Sequence, residues 1–120
     1  MNKLLLVTLS LFILSFTVNA IEMKSEIEKL LEFVENSGCK FERNGDMHSD
    51  ADATKHIKKK YDYYFDDIKT AEDFIELSAT KSKFSGDYYK IHCKNESVIK
   101  SKVWLLNELE NIRNLQKTIT

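Results

Sequence analysis

The sequence predicts a mainly α fold of the α+β class, with about four helices packed with a small two-stranded antiparallel ribbon and one disulfide. Three observations favour this class. The chain has no proline and only three glycines among 120 residues, which disfavours a turn-dense all-β fold. Apolar residues recur at helical spacing in several segments. Two short segments with alternating apolar and polar residues each adjoin one of the two cysteines.

The first two helices are predicted from a capping motif and an apolar stripe. An S-x-x-E capping box begins at Ser25, and Gly38 stops the helix, so helix one is predicted at about 25–36. Helix two is predicted at about 50–66, because acidic residues stand in its first turn and apolar residues follow at steps of three and four. The members of this stripe are Ala53, Ile57, Tyr61, Tyr64 and Ile68.

Two further helices complete the predicted set. A third, shorter helix begins at the cap residue Thr70 and ends near Ala79. The last helix covers about 98–114 and carries Trp104 as its largest apolar side chain. Residues 80–87 are polar and are predicted to form a loop.

The first 20 residues have the order of a cleavable secretory signal. Lys3 precedes an apolar run of about 15 residues, and small or short residues lead to a cleavage point at Ala20. The run is shorter than the roughly 18–20 residues that a membrane-crossing helix needs. We therefore expect a signal peptide at 1–20, one small domain at 21–120 and no membrane span after cleavage. An uncleaved N-terminal anchor is the alternative interpretation.

The ribbon and the disulfide are predicted together. The segments 39–43 and 88–92 alternate like strands, and the first ends in an Asn-Gly turn. Two cysteines in an exported chain most simply form a disulfide, which would hold these segments side by side. A bond between Cys39 and Cys93 closes a loop of about 53 residues and should stabilise the fold by roughly 3–4 kcal/mol. A redox-active pair is the alternative, but such pairs normally have closer spacing, as in C-x-x-C.

The charge of the chain argues against one class of partner. The formal net charge is −1, and it becomes −2 when Lys3 leaves with the signal. A nearly neutral chain has no bulk positive field to hold a nucleic acid. No nucleic-acid partner is therefore expected.

Several short segments of the chain after residue 20 fall in a distinctive order. They are Phe41-Glu42-Arg43-Asn44-Gly45, His48, His56-Ile57, Lys60-Tyr61, Thr70 to Ile75, Ala79 to Ser82, Ser85-Gly86, Trp104-Leu105 and Glu108-Leu109. In this order they resemble the YfeK-like family of exported bacterial proteins, catalogued as domain of unknown function 5329. The resemblance implies a periplasmic protein of a Gram-negative bacterium, with a signal peptide and paired cysteines. It implies no reaction, substrate or catalytic residue.

Polar residues concentrate on one face of helix two and just ahead of it. Asp52, His56 and Lys60 are each four residues apart, so they share that face. Basic side chains that converge near a helix N-terminus suit a carboxylate or a phosphate. The candidate ligand-binding residues are Arg43, Asn44, His48, His56, Lys60, Thr80 and Ser82. The structural interpretation of the same residues is an ion pair, an Asn-Gly turn, a loop cap and a solvated lysine face.

Neither a metal site nor a catalytic group is predicted. His48 and His56 are eight residues apart, and no close Cys/His pairing supports them as ligands. Ser82 and Ser85 lie outside any G-x-S-x-G motif. We therefore expect no metal, no cofactor and no catalytic residue.

These features favour a non-catalytic periplasmic protein that binds an unknown periplasmic protein or a small anionic ligand. The binding side would be formed by Arg43, His48, His56 and Lys60. Two alternatives stay open. One is a small hydrolase of the cell envelope with His48 or His56 as general base, and the other is a purely structural component of the envelope.

Overall fold

The computed structural model describes the backbone of residues 2–119 and the side chains of residues 18–119. Over this range four α-helices accompany a four-stranded antiparallel sheet, so the predicted α+β class is confirmed. The elements are α1 (Asn2–Glu35), β1 (Lys40–Arg43), β2 (Asp46–His48), α2 (Asp50–Tyr63), a 3₁₀ turn (Phe65–Asp67), α3 (Ala71–Ser78), β3 (Lys90–His92), β4 (Ile99–Lys100) and α4 (Ser101–Ile119).

Most of the predicted signal peptide, up to residue 17, lies outside the side chains that the structure describes. Within the described part of the chain, no helix has both the length and the apolar character to cross a membrane. The helix start predicted at Ser25 is wrong, because α1 runs through this residue without interruption. No proline or glycine stands before Gly38 to break the helix, so backbone hydrogen bonds make a cap at Ser25 unnecessary.

The core is formed by the predicted apolar stripes of the helices. Ile27 and Leu30 of α1 are 1% and 0% exposed, as are Phe74 and Ile75 of α3. Leu105 of α4 is fully buried with them. Arg113 of α4 ties three helices together at the surface, through ion pairs to Glu26 and Glu72.

The predicted ribbon is present as the central pair of the sheet. The strand order is β2-β1-β3-β4, and all three pairings are antiparallel. Phe41 of β1 faces Ile91 of β3, and both side chains are buried against the helices. The flanking strands were not predicted, because β2 has three residues and β4 only two, too few to show an alternating pattern.

The predicted disulfide joins Cys39, just before β1, to Cys93, just after β3. The Asn-Gly turn is also confirmed, since Asn44 and Gly45 have φ values of 53° and 82°. Two successive residues with positive φ match the twist of a tight hairpin. This hairpin joins β1 to β2 and brings Arg43 and Asn44 beside α2.

The remaining helix boundaries differ from the prediction only at the ends. α2 stops at Tyr63 and a 3₁₀ turn follows. The Thr70 side chain accepts a hydrogen bond from the Asp73 amide, as a cap of α3 should. α4 begins at Ser101 rather than near 98, because the two preceding residues pair with β3 as β4.

Candidate functional site

An open groove of about 870 Å³ lies between the second half of α2, the β1–β2 hairpin and the loop that precedes β3. We call it the Arg43 groove. Five of the seven predicted ligand-binding residues line it, namely Arg43, Asn44, His56, Lys60 and Ser82. Its remaining lining residues are Lys59, Tyr63, Tyr64, Lys83, Phe84 and Tyr89.

The other two predicted residues lie outside this groove. Thr80 is 2% exposed, and its hydroxyl donates a 2.8 Å hydrogen bond to the Ile75 carbonyl. The same carbonyl accepts a hydrogen bond from the Ala79 amide at 3.0 Å, so the Thr80 hydroxyl adds a second hydrogen bond at the end of α3. His48 lies on β2 and lines the adjoining surface of α2, together with Arg43 and His56. Its Nε2 atom is buried and has no hydrogen-bond partner within the described residues.

Tyr89 organises the floor of the groove. Its hydroxyl oxygen lies 3.1 Å from His56 Nε2 and 3.3 Å from Lys60 Nζ. Lys60 Nζ also donates to the Lys81 carbonyl at 2.9 Å and lies 5.1 Å from the centre of the Tyr89 ring. Tyr89 is 7% exposed. The sequence gives no sign that Tyr89 contacts both of these basic side chains.

Burial and neighbouring cations hold His56 in its neutral form. The pKa of His56 is lowered from 6.5 to about 4, mainly by burial of the ring and in addition by the charges of Arg43 and Lys60. With His56 neutral at pH 7, its Nε2 and the Tyr89 hydroxyl share a hydrogen bond whose direction is set by the tautomer of the ring, and the same hydroxyl accepts a hydrogen bond from Lys60. Burial raises the pKa of Tyr89, so its phenol also stays neutral.

The surroundings of Lys60 disfavour the charged form of its side chain. Burial lowers the pKa of this ammonium group, and the charges of Arg43 and Lys83 lower it further. Among the described residues that line the groove, none is acidic and four are cationic. The guanidinium of Arg43 has no ion pair or hydrogen bond with a carboxylate anywhere in the described part of the chain.

One wall of the groove is fixed by side-chain hydrogen bonds between the hairpin tip and the loop before β3. The Ser85 hydroxyl donates to Asn44 Oδ1 at 2.6 Å, and Asn44 Nδ2 donates to the Ser82 hydroxyl at 3.4 Å. The Gly86 amide donates to the Ser82 carbonyl at 2.9 Å. Asn44 and Ser82 therefore hold the loop in place, and the predicted binding cations lie beside them.

Histidines and carboxylates are not gathered into a metal centre. Within the described residues, no group of three or more His, Cys, Asp or Glu side chains is placed to hold a metal ion. A close contact between a histidine and a carboxylate joins His92 Nε2 to Glu42 Oε1 at 2.8 Å, and both residues lie outside the lining of the Arg43 groove.

The fold and the groove together define a small α+β protein with a disulfide-linked sheet and a cationic surface groove. Residues 21–113 match the sequence model described as a family of unknown function, DUF5329, and the chain belongs to that family. The predicted family assignment is confirmed to this extent, while the YfeK-like character and export stay predictions. No curated protein and no solved structure matches the chain.

Proposed function

We propose that this chain is an exported, periplasmic and non-catalytic protein that binds an anionic ligand in the Arg43 groove. The supporting observation is a set of four cations without a carboxylate, formed by Arg43, Lys59, Lys60 and Lys83. Like charges held together destabilise each other, and an anion that neutralises them relieves this repulsion. The pKa of Lys60 is lowered first by burial, and the charges of Arg43 and Lys83 contribute to the same shift.

Cations with a structural role look different in this protein. Arg113 contacts the carboxylates of both Glu26 and Glu72, and Lys102 Nζ lies 2.7 Å from Glu76. The chain contains 19 acidic residues against 18 lysines and arginines, so acidic partners are abundant. The groove therefore lacks acidic residues because the fold places them elsewhere, and not because the chain has few of them. This favours an anionic ligand that is not part of the chain.

The chemistry of the groove suits a carboxylate or a phosphate. A guanidinium can donate two parallel hydrogen bonds to either group. Arg43 is partly buried, which weakens competition from water for such bonds. Lys83 adds a charge from the opposite loop, and its fully solvated ammonium can move toward the ligand.

The same contacts argue against His56 as the general base of the hydrolase alternative. A general base works best when its pKa lies near the working pH, whereas the pKa of His56 is lowered to about 4. The Nε2 of this residue is bonded to Tyr89, and no carboxylate lines the groove to orient the ring. The disulfide agrees with the oxidising compartment that export would provide.

The proposal is tested with a charge-neutral double variant, Arg43→Gln with Lys83→Gln, made in the full chain with its disulfide intact. Neither side chain donates a hydrogen bond that holds secondary structure, so we expect unfolding in urea to change by less than about 1 kcal/mol. Calorimetric titration with citrate and with inorganic phosphate should show at least tenfold weaker binding of the preferred anion, roughly one charge-assisted hydrogen bond.

The matched control is Lys24→Gln with Lys94→Gln, which removes two exposed lysines outside the groove. This control should bind the anions like the unmodified protein. Equal loss of binding in both double variants would mean that net charge alone attracts the anions. A groove variant that fails to fold would make Arg43 and Lys83 structural residues and would refute the proposal.

A further inference from the structure

The Arg43 groove has an aromatic side as well as a cationic one. Tyr63 is 73% exposed, and Phe84, at the tip of the loop before β3, is fully exposed at 103%. Both rings line the groove. A protein surface rarely gains from presenting a bare phenyl ring to water, since burial of such a ring is favourable. Rings beside unpaired cations indicate a ligand that has both an anionic group and a flat apolar face.

The Tyr63 ring and the loop that carries Phe84 are held in place before any ligand arrives. The Tyr63 ring packs edge-on against Tyr64 with their centres 4.8 Å apart, and Lys83 Nζ lies 5.2 Å from the centre of the Tyr63 ring. The loop that carries Phe84 is tied to the hairpin by the 2.6 Å hydrogen bond between Ser85 and Asn44. A preorganised surface loses less conformational entropy on binding.

The position of the groove disfavours two modes of binding. An extended peptide can bind by adding to a sheet edge, but neither edge strand, β2 or β4, contributes a residue to the lining. Phosphate groups of nucleotides are commonly held by amides at a helix N-terminus. The α2 residues that line the groove begin at His56, six residues after the start of the helix at Asp50. Neither strand addition nor a helix N-terminus therefore supplies recognition in this groove, whose lining side chains are cationic and aromatic.

We propose that the ligand of the Arg43 groove is an acidic saccharide, whose sugar ring faces pack on Phe84 and Tyr63 while its carboxylate pairs with Arg43. This inference rests on the anion-binding function proposed above. A pyranose ring offers C–H groups on one face for an aromatic ring, and its hydroxyls suit hydroxyl and amide side chains. An acidic sugar joins these features to a negative charge within the span of one groove.

The test compares ligands that differ in one property each, by calorimetry on the full chain. Trigalacturonate carries carboxylates on sugar rings, maltotriose carries the rings alone, and triglutamate carries carboxylates without rings. A second pair, the N-acetylglucosamine–N-acetylmuramic acid disaccharide and chitobiose, differs by a carboxylate-bearing lactyl group. Adenosine monophosphate serves as the nucleotide arm. The ring variants are Phe84→Ala and Tyr63→Ala, with Tyr88→Ala as an exposed ring outside the groove.

We expect one of the two acidic saccharides to bind at least about tenfold more tightly than its neutral counterpart and than triglutamate. Phe84→Ala should weaken that binding about tenfold, the value of one good aromatic contact, while Tyr88→Ala leaves it unchanged. This pattern would support the inference.

The other outcomes separate the two proposals. If triglutamate binds as tightly as the saccharides and Phe84→Ala has no effect, the saccharide inference is overturned while anion binding at Arg43 stands. Tightest binding of adenosine monophosphate would also overturn it. If no acid binds, and Arg43→Gln with Lys83→Gln changes nothing, the proposed function fails and the inference fails with it.

Discussion

Replacement of His56 by Gln should remove a pH dependence from the stability of the fold. The folded-state pKa of His56 is lowered to about 4 from its ordinary value of 6.5, mainly by burial of the ring. Between these two pH values the imidazole of His56 is protonated in the unfolded chain and neutral in the folded chain. The free energy of unfolding therefore falls as the pH drops from 6.5 toward 4, and it is fully restored above 6.5.

The magnitude follows from the size of the pKa change. At 1.36 kcal/mol per pH unit, a shift from 6.5 to about 4 corresponds to at most about 3 kcal/mol. The ring of His56 is only partly buried, so solvent screens part of this effect. We expect a loss of about 1–2 kcal/mol across the window. For a small domain, that is a measurable share of the total stability.

The assay is urea unfolding at pH values from 4 to 8, followed by the fluorescence of Trp104. This residue is the only tryptophan of the chain, and its ring centre lies 4.3 Å from that of Phe33 and 5.7 Å from that of Phe41. Unfolding separates these rings, so the signal reports the whole core. Subtracting the His56→Gln curve from the unmodified one removes the titration of carboxylates common to both.

A difference that stays flat between pH 4 and 7 would refute the assignment of a neutral, strained His56. Charged groups from three elements face this ring, namely Arg43 of β1, His48 of β2, and Lys59 and Lys60 of α2. Arg43→Gln should therefore raise the pKa of His56, which NMR titration of the ring proton would show. A bound anion should act in the same direction, so binding to the groove would take up protons below pH 6.5.

Three further predictions concern the framework. Cys39→Ser with Cys93→Ser should reduce the free energy of unfolding by about 4 kcal/mol, since the bond closes a 54-residue separation; an unchanged urea midpoint would show that the link contributes nothing. Arg113→Met should cost about 1–3 kcal/mol in the same assay, because the buried side of Glu26 loses its partner, and Arg113→Lys should restore little. Asn44→Gly should change stability by less than about 1 kcal/mol, because relief of positive φ offsets the lost contact with Ser85; a larger loss would mean that the Ser85 contact dominates.

The parts of the fold that depend on long periodic segments could be predicted from the sequence. The stripe of α2 and the cap of α3 at Thr70 are local signals, because neighbours along a helix are also neighbours in the chain. The start of α1 could not be predicted, since the capping box at Ser25 is real as a pattern but is overridden by an uninterrupted helix. β4 escaped prediction because two residues carry no period, and only the presence of β3 makes Ile99 and Lys100 a strand.

The candidate site was predictable where residues are close in sequence. His56 and Lys60 share a face of α2 at a spacing of four, and the hairpin places Arg43 next to them. Tyr89 lies 33 residues from His56 along the chain, so their contact depends on the pairing of β1 with β3. In the sequence, Thr80 lies in a polar segment where its hydroxyl could bind a ligand. In the structure this side chain is buried and its hydroxyl donates to the Ile75 carbonyl.

A net charge near zero describes the whole chain and hides the field of the groove. The 19 acidic and 18 basic residues nearly cancel, yet the acids that pair with cations do so elsewhere, as Glu26 does with Arg113. A net charge near zero therefore means that the chain as a whole has no positive field to hold a nucleic acid. It does not describe the local positive field of the groove. Because Arg43 is partly buried while Lys83 is fully solvated, salt should weaken their contributions unequally. Between 50 and 500 mM NaCl, the contribution of Lys83 to anion binding should fade while that of Arg43 persists, and equal fading would place both charges in open solvent.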